Sequence, residues 1–316
     1  TFMTTKATIL IRCLNEVKNL QILLPLLEQQ SFQDFEVVFI DSGSTDGSYK
    51  FVESYNSKLK IVLETIPKDK FSFGRSLNMA AEKSTYKEIL ISLSAHCFPS
   101  NSNWLKNIIT PFDNEKISIV YGRQIGDKNS WLSEASHLNN WFGEKSKMKN
   151  SPFINNGNSA FRYTDWKKYK FDEMLTGCED IEFASKLQNI GGLIYYSAES
   201  QVSHFHDEQP KQIRNRYKRE AQALKEIYGH VLDFSILDLT KGILNEIRLD
   251  LQFRKENIFP KSSLFNIFKY RYNKNRGHYL GINHKFFSKK HINDKSCLYK
   301  EHKDNIEYLK KDYFYK

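Results

Sequence analysis

One stretch, residues 35–48, constrains the fold more than any other part of the chain. It reads FEVVFIDSGSTDGS: a run of β-branched and aromatic residues stops at Asp41, and small, turn-forming residues follow. Tyr49 then begins a helical pattern. A short apolar run bounded by turn residues predicts a buried strand that leads through a tight loop into a helix. In an open α/β sheet, ligands bind where such strands end, so Asp41 is a candidate binding residue.

The rest of the first 229 residues alternates between strand and helix patterns. Leucines at helical spacing follow the first strand, with Asn15 as the predicted N-cap. This alternation predicts an α/β fold with a largely parallel, doubly wound sheet flanked by helices. After Gly229 helical spacing takes over, which predicts an α/β domain over residues 1–229 and a helical region over residues 230–316. The predicted strands are 7–13, 35–41, 59–63, 88–93, 117–122, 159–162 and 193–197, and the predicted helices include 76–82, 179–188 and 210–228.

The positive charge is concentrated near the C-terminal end. The formal net charge is +10, and residues 231–316 contain 18 Lys or Arg against 10 Asp or Glu. Because the excess lies outside the α/β region, we expect no nucleic-acid partner. Aromatic side chains alternate with the basic ones, a mixture that suits the headgroups of an anionic membrane. A solvated lid or an oligomer contact is the alternative interpretation.

Cysteine usage and hydropathy indicate the compartment. The four cysteines, Cys13, Cys97, Cys178 and Cys297, are widely spaced and form no Cys-x-x-Cys pair. This predicts neither a disulfide framework nor a thiolate zinc site, and it fits a reducing cytoplasm. The first residues lack the apolar region of a signal peptide, and no apolar run approaches the roughly 20 residues of a membrane span. We therefore expect a cytoplasmic protein, with peripheral contact at the inner face of the membrane.

Three further segments carry groups suited to chemistry, and each follows or opens a predicted element. A carboxylate can remove a proton from an attacking hydroxyl, and imidazole is an acceptable ligand for manganese or zinc. Each also has an ordinary explanation, since acids in the first turn stabilise a helix and loop histidines can simply be solvated. The segments are Ser94-Ala95-His96, Glu179-Asp180 and His204-Phe205-His206.

The order of these segments resembles family 2 glycosyltransferases of the GT-A fold, of the type that assembles bacterial surface polysaccharides. The loop at Asp41 is similar to the family's Asp-x-x-Ser-x-Asp motif, and the resemblance extends over residues 8–228. It includes segments 70–78 and 156–162. The resemblance implies a mixed, mainly parallel GT-A sheet. It also implies an inverting transfer from a nucleotide-sugar donor, most often a UDP-sugar, to a hydroxyl of a capsule- or lipopolysaccharide-type glycan, free or lipid-linked.

The resemblance also implies roles for individual residues. Asp180 would be the general base, and Glu179 would orient the acceptor. A divalent metal, Mn or Mg, would hold the donor's diphosphate, but the family's Asp-x-Asp is replaced here by Ser94-Ala95-His96. The candidate metal ligands are His96, His204 and His206. The candidate donor-binding residues are Arg12, Asn15, Glu16, Asp41, Ser44, Arg75, Asn78, Ser94, Ala95, His96 and Asn158.

Alternatives remain open at this point. The missing Asp-x-Asp is consistent with an inactive nucleotide-sugar-binding module, or with an enzyme whose histidines contact the diphosphate without metal. A nucleotidyltransferase also uses a doubly wound domain, but it should have a glycine-rich basic loop after the first strand. This chain has Cys13-Leu14-Asn15-Glu16 there.

Overall fold

The structure is a computed structural model that describes residues 5–229 and 234–284. Predictions for residues 230–233 and 285–316, including Cys297 and much of the basic tail, lie outside the described residues. Within the described ranges the strands are β1 (Ala7–Cys13), β2 (Phe35–Asp41), β3 (Lys60–Thr65), β4 (Ile89–Leu93), β5 (Cys97–Pro99), β6 (Ile117–Gly126), β7 (Lys147–Lys149), β8 (Asn158–Arg162) and β9 (Leu193–His204). The α-helices are α1 (Val17–Glu28), α2 (Ser48–Ser54), α3 (Phe73–Lys83), α4 (Trp104–Ile109), α5 (Leu132–Trp141), α6 (Tyr163–Tyr169), α7 (Glu179–Asn189), α8 (Pro210–Tyr228), α9 (Ile236–Glu256) and α10 (Leu264–Ile282).

The described chain divides into two compact units. The first contains residues 5–124, 143–174 and 179–204, and the second contains residues 125–142, 175–178, 205–229 and 234–284. The predicted domain boundary between residues 229 and 230 stays a prediction, because residues 230–233 are outside the described ranges.

The first unit is built on one mixed sheet. Its strand order is β3-β2-β1-β4-β8-β6-β9-β5, and β7 pairs with β9. Strands β1 to β4 run parallel, whereas β8 is antiparallel to β4 and β6, and β5 and β7 are antiparallel to β9. The predicted mixed α/β sheet is confirmed. Because β1 pairs with both β2 and β4, the carboxyl ends of these three strands share one sheet edge.

The core of the first unit explains why these segments become strands and helices. Every residue of β2 is buried, as its uninterrupted apolar run predicts. Helix α1 buries a leucine stripe at helical spacing. Each fully buried leucine contributes about 1.5–3 kcal/mol, so this stripe fixes the helix on the sheet. The stripe consists of Leu20, Leu23, Leu24 and Leu27.

Some predicted boundaries were too short, and one cap was wrong. Helix α3 begins at Phe73 rather than at residue 76, because the Ser72 side chain accepts a hydrogen bond from the Arg75 amide. Strand β9 continues to His204 instead of ending at residue 197. Asn15 does not cap α1: Glu16 occupies that position, and Asn15 adopts a left-handed φ of 57°.

The second unit consists of helices α5, α8, α9 and α10. Helices α9 and α10 begin at serine caps, and Ser235 forms a capping box with Asp238 at the start of α9. Helix α10 contacts α5, α8 and α9. Helical structure was predicted after residue 229, and it is confirmed for residues 234–284. Among the described residues, no helix combines the length and the apolar character that crossing a bilayer requires.

Candidate active site

The loop after β2 holds a buried carboxylate with unused acceptor capacity. Asp41 is only 3% exposed, and its Oδ1 accepts hydrogen bonds from the amides of Gly43 and Ser44, both at 3.0 Å. Its Oδ2 is buried and has no hydrogen-bond partner among the described residues. A buried oxygen of this kind costs about 1–3 kcal/mol unless something donates to it. Asp41 is therefore poised to accept a hydrogen bond from a ligand.

The loops that follow β1 and β2 are bonded to one another. The Asn15 amide donates to Ser44 Oγ at 2.8 Å, and Asn15 Oδ1 accepts from the Thr45 amide at 2.8 Å. Gly43 has a φ of 90°, which only glycine adopts without strain. Asp46 Oδ1 accepts from the Ser48 amide at 2.9 Å, at the first residue of α2. These bonds hold the loop around Asp41 in one conformation.

His96 is held at both ring nitrogens. Its Nδ1 lies 2.9 Å from Glu16 Oε1, and its Nε2 lies 3.1 Å from Ser94 Oγ. Ala95, which lies between Ser94 and His96 in the chain, is buried. The Ser94 amide donates to the Gly157 carbonyl. The tight turn after β4 therefore fixes the imidazole beside the carboxyl end of β1.

His204 is brought to His96 by strand pairing. Strand β5 pairs with β9, so that Cys97 lies opposite His204. The rings of His96 and His204 stack with centroids 5.2 Å apart, and ligand atoms of the two residues lie within 4.8 Å of one another. His204 Nδ1 contacts Gln124 Oε1 at 2.6 Å. Sequence analysis predicted neither Gln124 nor this stacking.

These two histidines fit a divalent metal of the manganese or zinc type. Each Nδ1 contacts an oxygen of Glu16 or Gln124, which is how metal-bound imidazoles are usually oriented by their neighbours. Imidazole suits manganese and zinc, whereas magnesium prefers oxygen ligands. His206 belongs to the second unit, where its Nδ1 lies 2.7 Å from Glu134 Oε1. His206 stays a predicted ligand.

The Glu179-Asp180 pair opens α7, and its two carboxylates have different surroundings. Glu179 is 4% exposed and accepts from Arg12 and from the Asn156 side chain, both at 3.2 Å. Asp180 Oδ2 accepts from the Asn156 amide at 3.0 Å. Burial, together with the neighbouring Glu179 charge, raises the pKa of Asp180 to about 7. A carboxylate with a pKa near neutrality is matched to general-base chemistry at physiological pH.

Asn156 holds both acids, and it was not among the predicted site residues. It is 3% exposed, and its side-chain oxygen accepts from Ser159 Oγ while its carbonyl accepts from Ser92 Oγ. It thereby ties the Glu179-Asp180 pair to β4 and β8. By itself the Asn-Gly dipeptide indicates a turn, and the family resemblance included segment 156–162 without giving Asn156 a role.

Three predicted donor-binding residues are engaged in bonds within the protein. Asn78 uses both of its amide hydrogens and its oxygen in bonds to Trp166, Phe171 and Glu173. The Asn158 side chain joins Trp104 to the carbonyls of Arg123 and Ser200. Arg75 pairs with Glu173 at 2.9 Å and remains partly exposed. These contacts give the residues structural roles, and donor contacts by them stay predictions.

Several known proteins are similar to this chain. The profile of "Glycosyl transferase family 2" matches residues 8–172, slightly more than half of the chain. That match includes Asp41 and His96 and ends before Asp180 and His204. The chain is 26% identical over 201 residues to the O-antigen chain rhamnosyltransferase WbaN of Salmonella anatum. The alignment covers 60% of this chain and 62% of WbaN, so the chain spans less than two thirds of that relative's length.

Solved structures share the fold at low sequence identity. The mannosyltransferase PcManGT from Pyrobaculum calidifontis, in complex with GDP-Man and Mn²⁺, has a TM-score of 0.55 and 13% identity. That alignment covers 99% of this chain and 86% of PcManGT. S. aureus TarS 1-349 has a TM-score of 0.52 and 16% identity, with 86% of this chain and 89% of TarS covered. These likenesses confirm the predicted GT-A fold class. The profile match over more than half of the chain shows that the chain belongs to glycosyl transferase family 2.

Proposed function

We propose that this protein is an inverting glycosyltransferase that moves a sugar from a nucleotide-diphosphate donor to a hydroxyl of a lipopolysaccharide-type glycan. The observation that carries the proposal is Asp180, a partly buried carboxylate whose pKa is raised to about 7 and whose position is fixed by Asn156. Ionising a buried carboxylate such as Asp180 costs folding free energy. Carboxylates with such strongly shifted pKa values are typical of catalytic sites, and an inactive binding module would not need one.

The reaction is a single displacement. The ionised Asp180 removes the proton of the acceptor hydroxyl as that oxygen attacks the anomeric carbon of the donor sugar. The new C–O bond forms as the bond to the diphosphate breaks, and the nucleoside diphosphate leaves with the electron pair. The configuration at the anomeric carbon is therefore inverted. Asp180 ends the step protonated and returns its proton to solvent.

The diphosphate would be held by imidazoles in place of the family's Asp-x-Asp carboxylates. His96 and His204 would ligate a divalent ion, with His206 as a third predicted ligand. When bound, the ion would neutralise charge on the departing diphosphate. Glu16 and Gln124 would orient the two rings. Manganese suits this donor set better than magnesium does.

The donor's nucleoside would contact the loop after β2. Asp41 Oδ2 is the acceptor that this loop leaves without a partner, and a ribose hydroxyl or a base N–H can donate to it. A UDP-sugar is our first candidate donor. The relative's description as an O-antigen chain rhamnosyltransferase makes a rhamnosyl donor the second candidate, with a growing O-antigen chain as acceptor.

A donor panel tests the proposal. Release of nucleoside diphosphate is measured for UDP-, GDP- and dTDP-sugars, with manganese and with a chelator. We expect release from one donor class, dependence on manganese, and loss of release in Asp180→Asn. Nucleotide binding without turnover of any donor, unchanged by Asp180→Asn, would establish the inactive module instead.

A further inference from the structure

Helix α9 carries a regular stripe of leucines and basic residues that the rest of the described chain, residues 5–229 and 234–284, leaves exposed. Leu237 is 67% exposed and Leu244 is 70% exposed. The leucines recur every seven residues, and basic side chains recur at the same interval between them, so all lie along one side of the helix. The stripe consists of Leu237, Lys241, Leu244, Arg248, Leu251 and Lys255, each of which is exposed.

The opposite side of α9 contains its buried acids. Glu246 is 6% exposed and pairs with Lys274 of α10, and Asp250 is fully buried and pairs with Arg271. Because these acidic charges turn inward and are neutralised there, they do not balance the basic residues of the stripe. The stripe itself is therefore both apolar and positively charged, and the other acids of α9, Asp238 and Glu256, lie near the two ends of the helix.

The geometry points to this stripe of α9 as a docking surface for an anionic lipid bilayer. Leu237 and Leu244 would lose their contact with water by entering the boundary between headgroups and acyl chains, which is favourable in free energy. Lys241, Arg248 and Lys255 have side chains long enough to reach the lipid phosphates. A second copy of the chain is a poor occupant. In a two-fold dimer the same surface faces itself, and three basic residues would then meet three basic residues. A purely ionic ligand would leave the leucines in water.

Helix α10, in the same unit, exposes a second set of interfacial side chains. Phe265 is 69% exposed and Phe268 is 51% exposed, and the Phe268 ring stacks on Tyr272. Arg276 donates to the Tyr272 hydroxyl at 3.3 Å. Aromatic rings next to basic residues are typical of surfaces that lie at the headgroup level.

Vesicle sedimentation of the full chain tests the inference. We expect retention on vesicles of equimolar phosphatidylcholine and phosphatidylglycerol at low salt, and little retention on pure phosphatidylcholine. Lys241→Gln with Arg248→Gln should weaken the vesicle affinity about fivefold for each charge removed. Leu237→Ser with Leu244→Ser should weaken it roughly tenfold, because the apolar contribution is lost.

Matched controls lie outside α9. Ile22→Ser removes an apolar side chain that is 53% exposed on α1, and Lys116→Gln removes an exposed basic residue. Both controls should sediment like the parent protein. Equal loss in the controls and the α9 variants would overturn the inference. A second result would also overturn the inference: analytical ultracentrifugation shows a dimer, Leu244→Ser dissociates it, and vesicle retention stays unchanged. Donor turnover with a soluble acceptor should not change in the α9 variants, which separates this test from that of the proposed function.

Discussion

Replacing Asp180 by asparagine should make the protein more stable and much less active at pH 8. The pKa of Asp180 is raised from 3.8 to about 7, a difference of about 3 units. At 1.36 kcal/mol per unit, the ionised side chain destabilises the folded state by up to about 4 kcal/mol. The amide of asparagine carries no charge and so does not incur this cost.

The sign of the pH dependence follows from the direction of the shift. Because the folded state holds its proton to a higher pH than the unfolded state does, the wild-type free energy of unfolding falls as pH rises from about 4 to about 7. Asp180→Asn lacks this fall. The variant should therefore gain up to about 4 kcal/mol over wild type at pH 8, and gain little at pH 4.

Urea unfolding at pH 4 and pH 8, combined with turnover measurements, checks this. Wild-type kcat/KM should rise with pH through an inflection near 7, since the ionised base is the active form, and Asp180→Asn should lower turnover roughly 10²–10⁴-fold. Glu179→Gln is the comparison variant: it removes a charge that helps to raise the pKa of Asp180, but it also loses the ion pair with Arg12, so it should gain less stability at pH 8 than Asp180→Asn does. An Asp180→Asn variant that keeps its activity, or that loses stability equally at both pH values, would refute the reasoning.

Two of three further predictions concern the site, and the third concerns Glu36 near the amino end of β2. Asn156→Asp keeps the backbone N–H that donates to Asp180 but places a negative charge beside Glu179, so the inflection of the pH–rate profile should move above 7. An unchanged profile would show that the side chain of residue 156 does not act on the Glu179-Asp180 pair. His96→Ala should weaken both the manganese dependence and the rate, and unchanged kinetics would remove His96 from the site. Burial opposes ionisation of Glu36, but hydrogen bonds from Thr85, Tyr86 and Lys60 outweigh it and lower its pKa to about 2. The ionised Glu36 stabilises the fold above about pH 4.5, and this stabilisation is lost as the pH falls towards 2. Glu36→Gln should therefore lower the free energy of unfolding at pH 7 by about 3 kcal/mol, as measured by urea unfolding. An unchanged free energy of unfolding would contradict this prediction.

The sequence by itself determined the elements and the fold class. The uninterrupted apolar run before Asp41 is buried on both faces of the sheet, and the leucine spacing of α1 is a core stripe, because both patterns depend only on local periodicity. The loop between β2 and α2 could be predicted for the same reason: its turn residues are contiguous in the chain.

The tertiary structure alone decided which distant groups meet. His96 stacks on His204 because β5 pairs with β9, a contact between residues 108 positions apart that no local pattern encodes. Asn156 acquired its role in the same way, since only the folded chain brings its amide to Asp180. The raised pKa of Asp180 is also a property of packing, because burial and the charge of Glu179 act through space. Local periodicity sets what each segment becomes, while the chemistry of the site depends on long-range pairing.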